Sequence, residues 1–396
     1  MIRLQQNVAY DRLAHELLTW SEAGPKGSEL SPANFYLASE FKPENLAANA
    51  TRAFLGVNLD CAQCHDHPFA RWTRDQFWET AAFFAPVQQG QTGPTELPRI
   101  TIPQTERALA PRLLTTEQIN WPQPVDERTI RRALADWTTS VGNPYFAKNA
   151  VNRLWAHFLG SALVEPLDDL SSDAGSEGES AALLEELAET FVASGFDLQL
   201  LTEAIVQTEA YRMSTTGSGQ ALLARGPKGN DWPSTFASYS SDLAPFAQRR
   251  VRGLTGEQLY DSLRTAAGLP PERNDLGRGA TWETRQQFRG LFFIGSPAAA
   301  ERSISQALAL MNGPLITDLC RPEVNQTLAA ILDAPFLNRD QQIETVFLAV
   351  LNRPPSEREL ELVVRAIDGR PATELAQAYG DLFWVLINST EFNTNH

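Results

Sequence analysis

Cys61-Ala62-Gln63-Cys64-His65-Asp66-His67 gathers two of the chain's three cysteines and two of its five histidines into seven residues. Two thiols three residues apart, followed at once by an imidazole, form the attachment pattern of a c-type haem. Both thiols add to porphyrin vinyl groups and the histidine takes an axial place on iron. One helical turn would set Cys61 and Cys64 along one edge of the macrocycle and bring His65 over its face. His67 is too close in the chain to pass around the ring to the opposite side of the same iron. It and Asp66 are therefore expected to support the site, with His67 orienting Asp66 or a nearby backbone group.

The same residues allow other chemistry. Cys61, Cys64 and one of the two histidines could start a small zinc site, or the thiols could act as a redox pair. Zinc would need further ligands, and beyond the motif only Cys320 and three distant histidines are left. Asp66 beside His67 also permits acid–base hydrolysis, with adjacency as its only support. A low-spin haem needs a sixth, soft ligand, and the supply is short: Met1, Met213 and Met311, with His15, His157 and His396. His157, on a firmly specified helix, and Met311, on an apolar one where burial is expected, are the first candidates. Both fall in the second predicted domain, so ligation by either would lock two domains together.

The elements that must position these residues are helical. Leu46, Ala50, Ala53, Phe54 and Val57 recur at helical spacing after Pro43, and Gly56 is a natural stop. Thr73 and Gln76 form a capping box that opens a helix bearing Phe77, Ala81 and Phe84. Phe69, Trp72, Phe77, Trp78, Phe83 and Phe84 then crowd just after the motif, equally suited to wall a porphyrin or to fill a protein core. Residues 85–125 are rich in Pro, Gly, Thr and Gln, with one alternating piece, Arg99-Ile100-Thr101-Ile102, that predicts a short strand. Beyond it helical patterns dominate: a stripe through Ile130, Leu134 and Trp137, then a helix capped by Asn143 with Pro144 in its first turn and Gly160 at its end. On that helix Arg153 and His157 lie one turn apart and can share a face. Further helices are predicted over 181–193, 198–211, 304–319, 341–351, 356–367 and 374–389, with capping boxes at Thr255/Gln258 and Ser356/Glu359. The fold class is thus mainly α, with few short strands. A helical, cytochrome-c-like domain over 1–115 precedes a larger helical domain over 122–396, interrupted by an irregular excursion at 214–248.

Composition narrows the function. A net charge of −15 and a pI near 4.9 oppose a nucleic-acid surface, which relies on clustered Lys and Arg. No apolar run reaches membrane-spanning length, and three cysteines build no disulfide framework. No Gly-rich phosphate loop, nucleophile elbow or H-E-x-x-H is present. Met1-Ile2-Arg3-Leu4-Gln5 lacks the features of a secretory leader, although covalent haem attachment takes place outside the cytoplasm.

Several runs carry a family likeness across nearly the whole chain. Ala53-Phe54-Leu55-Gly56-Val57, the motif through Pro68-Phe69, Trp72 and Ala81-Ala82-Phe83-Phe84 resemble the planctomycete cytochrome-c-like domain of unknown function. Arg131 through Trp137, Asn143-Pro144, Val151 through His157, Gly160, Gln306-Ala307-Leu308, Asn312-Gly313 and Leu386 through Phe392 resemble its planctomycete-specific C-terminal companion. The resemblance implies an exported protein, periplasmic or at the cell surface, and suggests a chain shortened at its N-terminus. It differs in one respect: the companion often carries cysteines where Gly290 to Arg302 stand, and here there are none. The leading expectation is a c-type haem protein performing electron transfer or a haem-dependent redox step, linked to extracellular polymer degradation. Its partners would be a redox protein or a small or polysaccharide-derived substrate. The alternative is a helical binding or assembly protein with a structural zinc or redox Cys/His site.

Overall fold

The computed structural model describes residues 2–20, 32–68, 70–89, 96–115, 118–170, 178–213, 251–270, 280–292 and 303–395. The excursion at 214–248, Phe69, His396 and most of the stretch 290–302 lie outside them. The chain is mainly helical and separates into two compact units, the first running through Met213 and the second described from Val251 onward.

The first unit is built on one continuous core. Ala14 and Leu18 from the helix Tyr10–Leu18, Leu46 and Ala47 from Pro43–Ala50, and Phe77 and Ala81 from Arg74–Ala81 all enter it. So do Ile130 and Leu134 from Glu127–Thr138, Val151 and Trp155 from Phe146–Leu159, and Phe191 from Glu179–Ala193. Ala14 and Leu18, Phe77 and Ala81, Ile130 and Leu134, and Val151 and Trp155 are each four residues apart, so these helices turn one stripe inward. The predicted boundary at 115–122 is therefore not a boundary of packing: residues on both sides of it share the core. The short strand at Ile100–Thr101 is present and pairs antiparallel with Ala108–Leu109. A buried guanidinium sits near the centre. Arg131 pairs with Glu127 at 2.5 Å and donates to the Tyr36 hydroxyl, which itself donates to the Leu18 carbonyl. Burial, only partly opposed by Arg131, pushes the Tyr36 phenol up to about 12.

The second unit packs helix Gly256–Ala266 on Ala280–Leu291, and groups Gln326–Asp333, Arg339–Leu351, Glu357–Ile367 and Ala372–Ile387. Leu259, Tyr260, Ile343, Val346, Phe383 and Ile387 form its core. The stretch predicted as one helix over 304–319 is two, Ile304–Asn312 and Pro314–Leu319, because Pro314 lacks the amide that would continue the ladder. Arg252–Gly253 pairs antiparallel with Thr394–Asn395, tying the two ends of the described unit together. No described helix is long and apolar enough to cross a membrane.

Candidate functional site

The approach to the motif differs from a plain helix. After Pro43–Ala50 the chain makes a π-helical turn over Thr51–Leu55 and stops at Gly56 in the left-handed conformation, φ 59°. Single π turns often accompany functional sites because they redirect side chains without ending the helix. Cys61 then lies in a short 3-10 helix, Asp60–Ala62, rather than on an α-helical turn. Leu59 and Ala62 are fully buried, whereas Cys61 and Cys64 are exposed free thiols. Alternation of this kind pins the turn from beneath and presents both sulfurs outward.

Three bonds hold the loop to the helix Arg74–Ala81 and to the turn just before it. Trp78 Nε1 donates to the Gln63 carbonyl at 3.0 Å, Asp66 Oδ1 accepts the Arg74 amide at 2.8 Å, and the His67 amide donates to the Trp72 carbonyl at 2.8 Å. The capping box at Thr73 and Gln76 forms as predicted and starts that helix. His67 Nδ1 accepts the Ala70 amide at 2.8 Å, which requires an unprotonated Nδ1. His65 is the reverse case. Its Nδ1 lies 2.7 Å from the Asp66 carbonyl, which only accepts, so Nδ1 carries the proton and the lone pair of this exposed residue's ring is on Nε2. Asp66 and His67 thus brace the loop, while His65 is the imidazole left with an available nitrogen.

A second set of bonds reaches the motif from the helix Phe146–Leu159. Asn149 Nδ2 donates to the Ala53 carbonyl at 2.7 Å. Arg153 Nη2 donates to the Arg52 carbonyl at 2.6 Å and to Asp168 Oδ1 at 2.5 Å, and its Nε reaches Asn149 Oδ1 at 3.0 Å. Arg52 in turn pairs with Asp60, the residue just before Cys61. Gly56 is needed for this contact: a Cβ there would lie 2.7 Å from Asn149 Oδ1. Arg52, Asp60, Asn149 and Arg153 were not predicted as site residues. The i,i+4 spacing of Asn149, Arg153 and His157 was the available signal, but it points to a shared face without naming the opposite surface.

Residues 1–89 match the family model PSCyt2, protein of unknown function (DUF1549), and residues 130–287 match PSD1, protein of unknown function (DUF1553). These are the planctomycete cytochrome-c-like domain and its companion, in the expected order. Residues 1–89 are thus a PSCyt2 domain and residues 130–287 a PSD1 domain. No curated protein and no solved structure matches it. The Asn149–Arg153 contacts therefore run from the PSD1 part to the motif-bearing segment of the PSCyt2 part, within one packed unit.

The sixth-ligand candidates are placed differently from expectation. His157 is exposed on Phe146–Leu159, its ring edge-on to Phe158, and it belongs to the same compact unit as the motif. Ligation by His157 would thus join no separate domains. Met311 belongs to the second unit and is 46% exposed rather than buried, because its turn faces away from the core that takes Leu310. His15 lies 2.9 Å from Asp136 of the neighbouring helix. Cys320 is half-buried, and burial, reinforced by Asp381, pushes its thiol up to about 11. The aromatic run after the motif is core: Phe77, Phe83 and Phe84 are fully buried, with Trp72 and Trp78 nearly so. Among the described residues, no three His, Cys, Asp or Glu side chains gather where a metal ion could be held.

Proposed function

We propose that Cys61, Cys64 and His65 form a c-type haem attachment site, and that the protein is exported and takes part in electron transfer or a haem-dependent redox step. The observation that carries this reading is the combination of two exposed free thiols on a pinned turn with an imidazole whose Nδ1 proton is held by the Asp66 carbonyl. Ligating histidines characteristically use their second ring nitrogen in this way, which fixes the tautomer and raises the basicity of the other. Each thiol would add its S–H across one vinyl group, and His65 Nε2 would donate to iron. Haem held there supplies a one-electron iron couple. The chain's own part is to hold the imidazole in one tautomer and to fix the loop through Asp66, His67 and Trp78. A zinc clip draws less support, since among the described residues no three His, Cys, Asp or Glu side chains gather. The exposed dithiol keeps a redox pair as the second reading. Hydrolysis by Asp66 and His67 is disfavoured, because Asp66 Oδ1 and His67 Nδ1 both accept backbone amides.

Export of the chain with haem-maturation machinery should give a c-type visible spectrum and a haem-stained band on a denaturing gel. Intact mass should show one haem, with Cys61→Ala and Cys64→Ala each losing one thioether. His65→Ala should lose the wild-type iron spectrum and His67→Ala should keep it. A fully matured wild type with no haem mass would overturn the proposal, and reversible two-electron oxidation of the pair would then favour the dithiol.

A further inference from the structure

A cleft of about 830 Å³ opens beside the motif loop, entirely within the first unit. Its walls are Arg71 to Thr73, one face of the helix Arg74–Ala81, the stretch Arg112 to Thr115, and Trp137 with the loop that leads to Tyr145. Volume of this order suits a ligand of several rings' length rather than an ion. We infer that this cleft is a binding site for a neutral polyhydroxylated ligand, a short oligosaccharide, with Trp137 and Tyr145 as stacking surfaces and Glu79 and Arg112 as its hydrogen-bonding pair.

Tyr145 is braced on the aromatic side of the cleft. Trp72 is almost wholly buried and meets Tyr145 edge-on, ring centroids 6.5 Å apart. The Arg71 guanidinium covers the Trp72 ring at 4.9 Å and donates to the Tyr145 hydroxyl. Tyr145 and Trp137 are only half-buried and keep ring surface facing the cleft. Planar aromatic surface held in one orientation loses little entropy on stacking, and the C–H faces of a sugar ring are apolar.

The polar side is matched in sign. Asp75, paired with Arg107 at 2.5 Å, still acts on Glu79 and helps to raise its carboxyl, so the cleft walls carry Arg71 and Arg112 against Asp75 and Glu79. Glu79 and Arg112 approach only to 4.0 Å, beyond hydrogen-bond distance. The Glu79 side chain is 18% exposed, and burial holds its carboxyl above the usual range against the opposing pull of Arg112. A hydroxyl between them could donate to Glu79 and accept from Arg112, giving the desolvated carboxyl a partner it lacks at that distance. An anionic ligand would gain at Arg112 and be repelled at Glu79, and a cation would meet the reverse. Hydroxyl groups, which donate and accept, suit both. The inference does not depend on haem at Cys61 and Cys64.

The test is titration calorimetry of the full chain with cellotetraose, xylotetraose, mannotetraose and chitotetraose, alongside sulfated oligosaccharides of similar length. At least one neutral tetrasaccharide should bind. Trp137→Ala should weaken it roughly tenfold or more, the scale of an aromatic anchor, and Glu79→Gln should weaken it several-fold. Trp137→Phe, which keeps a ring at that position, should fold and bind more weakly than wild type, so platform loss is separable from misfolding. Ile304→Ala, in the other unit, should bind as wild type. Failure of every neutral tetrasaccharide at millimolar concentration, binding unchanged by both Trp137→Phe and Glu79→Gln, or binding of sulfated ligands alone would overturn the inference.

Discussion

At the residue scale, the motif depends on backbone placement before it depends on chemistry. Gly56 occupies a left-handed conformation and leaves no room for a methyl group beside Asn149. Gly56→Ala combines that backbone cost with the clash, and should destabilise the first unit by roughly 2–4 kcal/mol. Urea denaturation followed by tryptophan fluorescence measures this. Asn152 is the other strict position. Fully buried, it accepts the Leu163 and Val164 amides at 2.9 and 3.1 Å and donates to the Val164 carbonyl at 2.7 Å. Asn152→Ala leaves three buried backbone groups unpaired and should cost about 2–4 kcal/mol. By contrast, Asp66→Asn, which keeps an oxygen for the Arg74 amide, should change stability by less than about 1 kcal/mol.

At the element scale, arginines join segments distant in sequence, and one in each unit bears on a defined turn. In the first, Arg153 links the π turn, Asp168 and Asn149. If Cys61 and Cys64 carry haem as proposed, Arg153→Gln should lower the yield of haem-loaded protein more than it lowers the unfolding midpoint, because what it loosens leads directly to Arg52, Asp60 and Cys61. Comparing haem-to-protein absorbance with the denaturation midpoint checks this. In the second, Arg353 is held by both Glu391, at 2.6 Å, and Glu359, at 2.9 Å, and so fastens the turn before Glu357–Ile367 to the segment near Phe392. The Arg353 contact, with Ser356 assisting, holds the Glu359 carboxyl down at about 2 from an ordinary 4.5. A carboxyl depressed by folding contributes stability that is present above its unfolded value and is lost as pH falls through the folded one. The second unit should therefore lose stability between about pH 4.5 and 2, and Glu359→Gln should flatten that part of the curve in denaturant titrations at several pH values.

At the scale of the whole molecule, family borders and packing borders do not coincide. The family models end at residue 89 and resume at 130, a gap that contains the predicted 115–122 boundary. The packed units instead divide after Met213, so the first part of PSD1 belongs physically with PSCyt2. A fragment of residues 1–213 should unfold cooperatively in urea. A fragment of 1–115 should not, since it lacks Val151, Trp155 and Phe191, which share a core with Leu46 and Phe77. A dispersed amide spectrum from 1–115 would show the opposite.

What could be read from the sequence was local. The capping boxes at Thr73, Thr255 and Ser356, the stop at Gly56, the strand at Ile100 and the helical stripes all depend on neighbours within one or two turns, and all are present in the structure. The motif itself was legible as two thiols and an imidazole at a fixed spacing, whatever group they hold. Its surroundings were not. Whether Phe77 and Phe84 wall a cofactor or fill a core, whether Met311 is buried, and which unit His157 joins are decided by contacts between segments far apart in sequence. Periodicity says that a face is apolar but not what covers it. The Asn149–Arg153 grip on residues 52 and 53 spans roughly a hundred residues, as the separations of 96 and 101 along the chain record. Only folding brings those carbonyls within reach, because a hydrogen bond is specified by the position of its acceptor, and that position is a property of the packed chain.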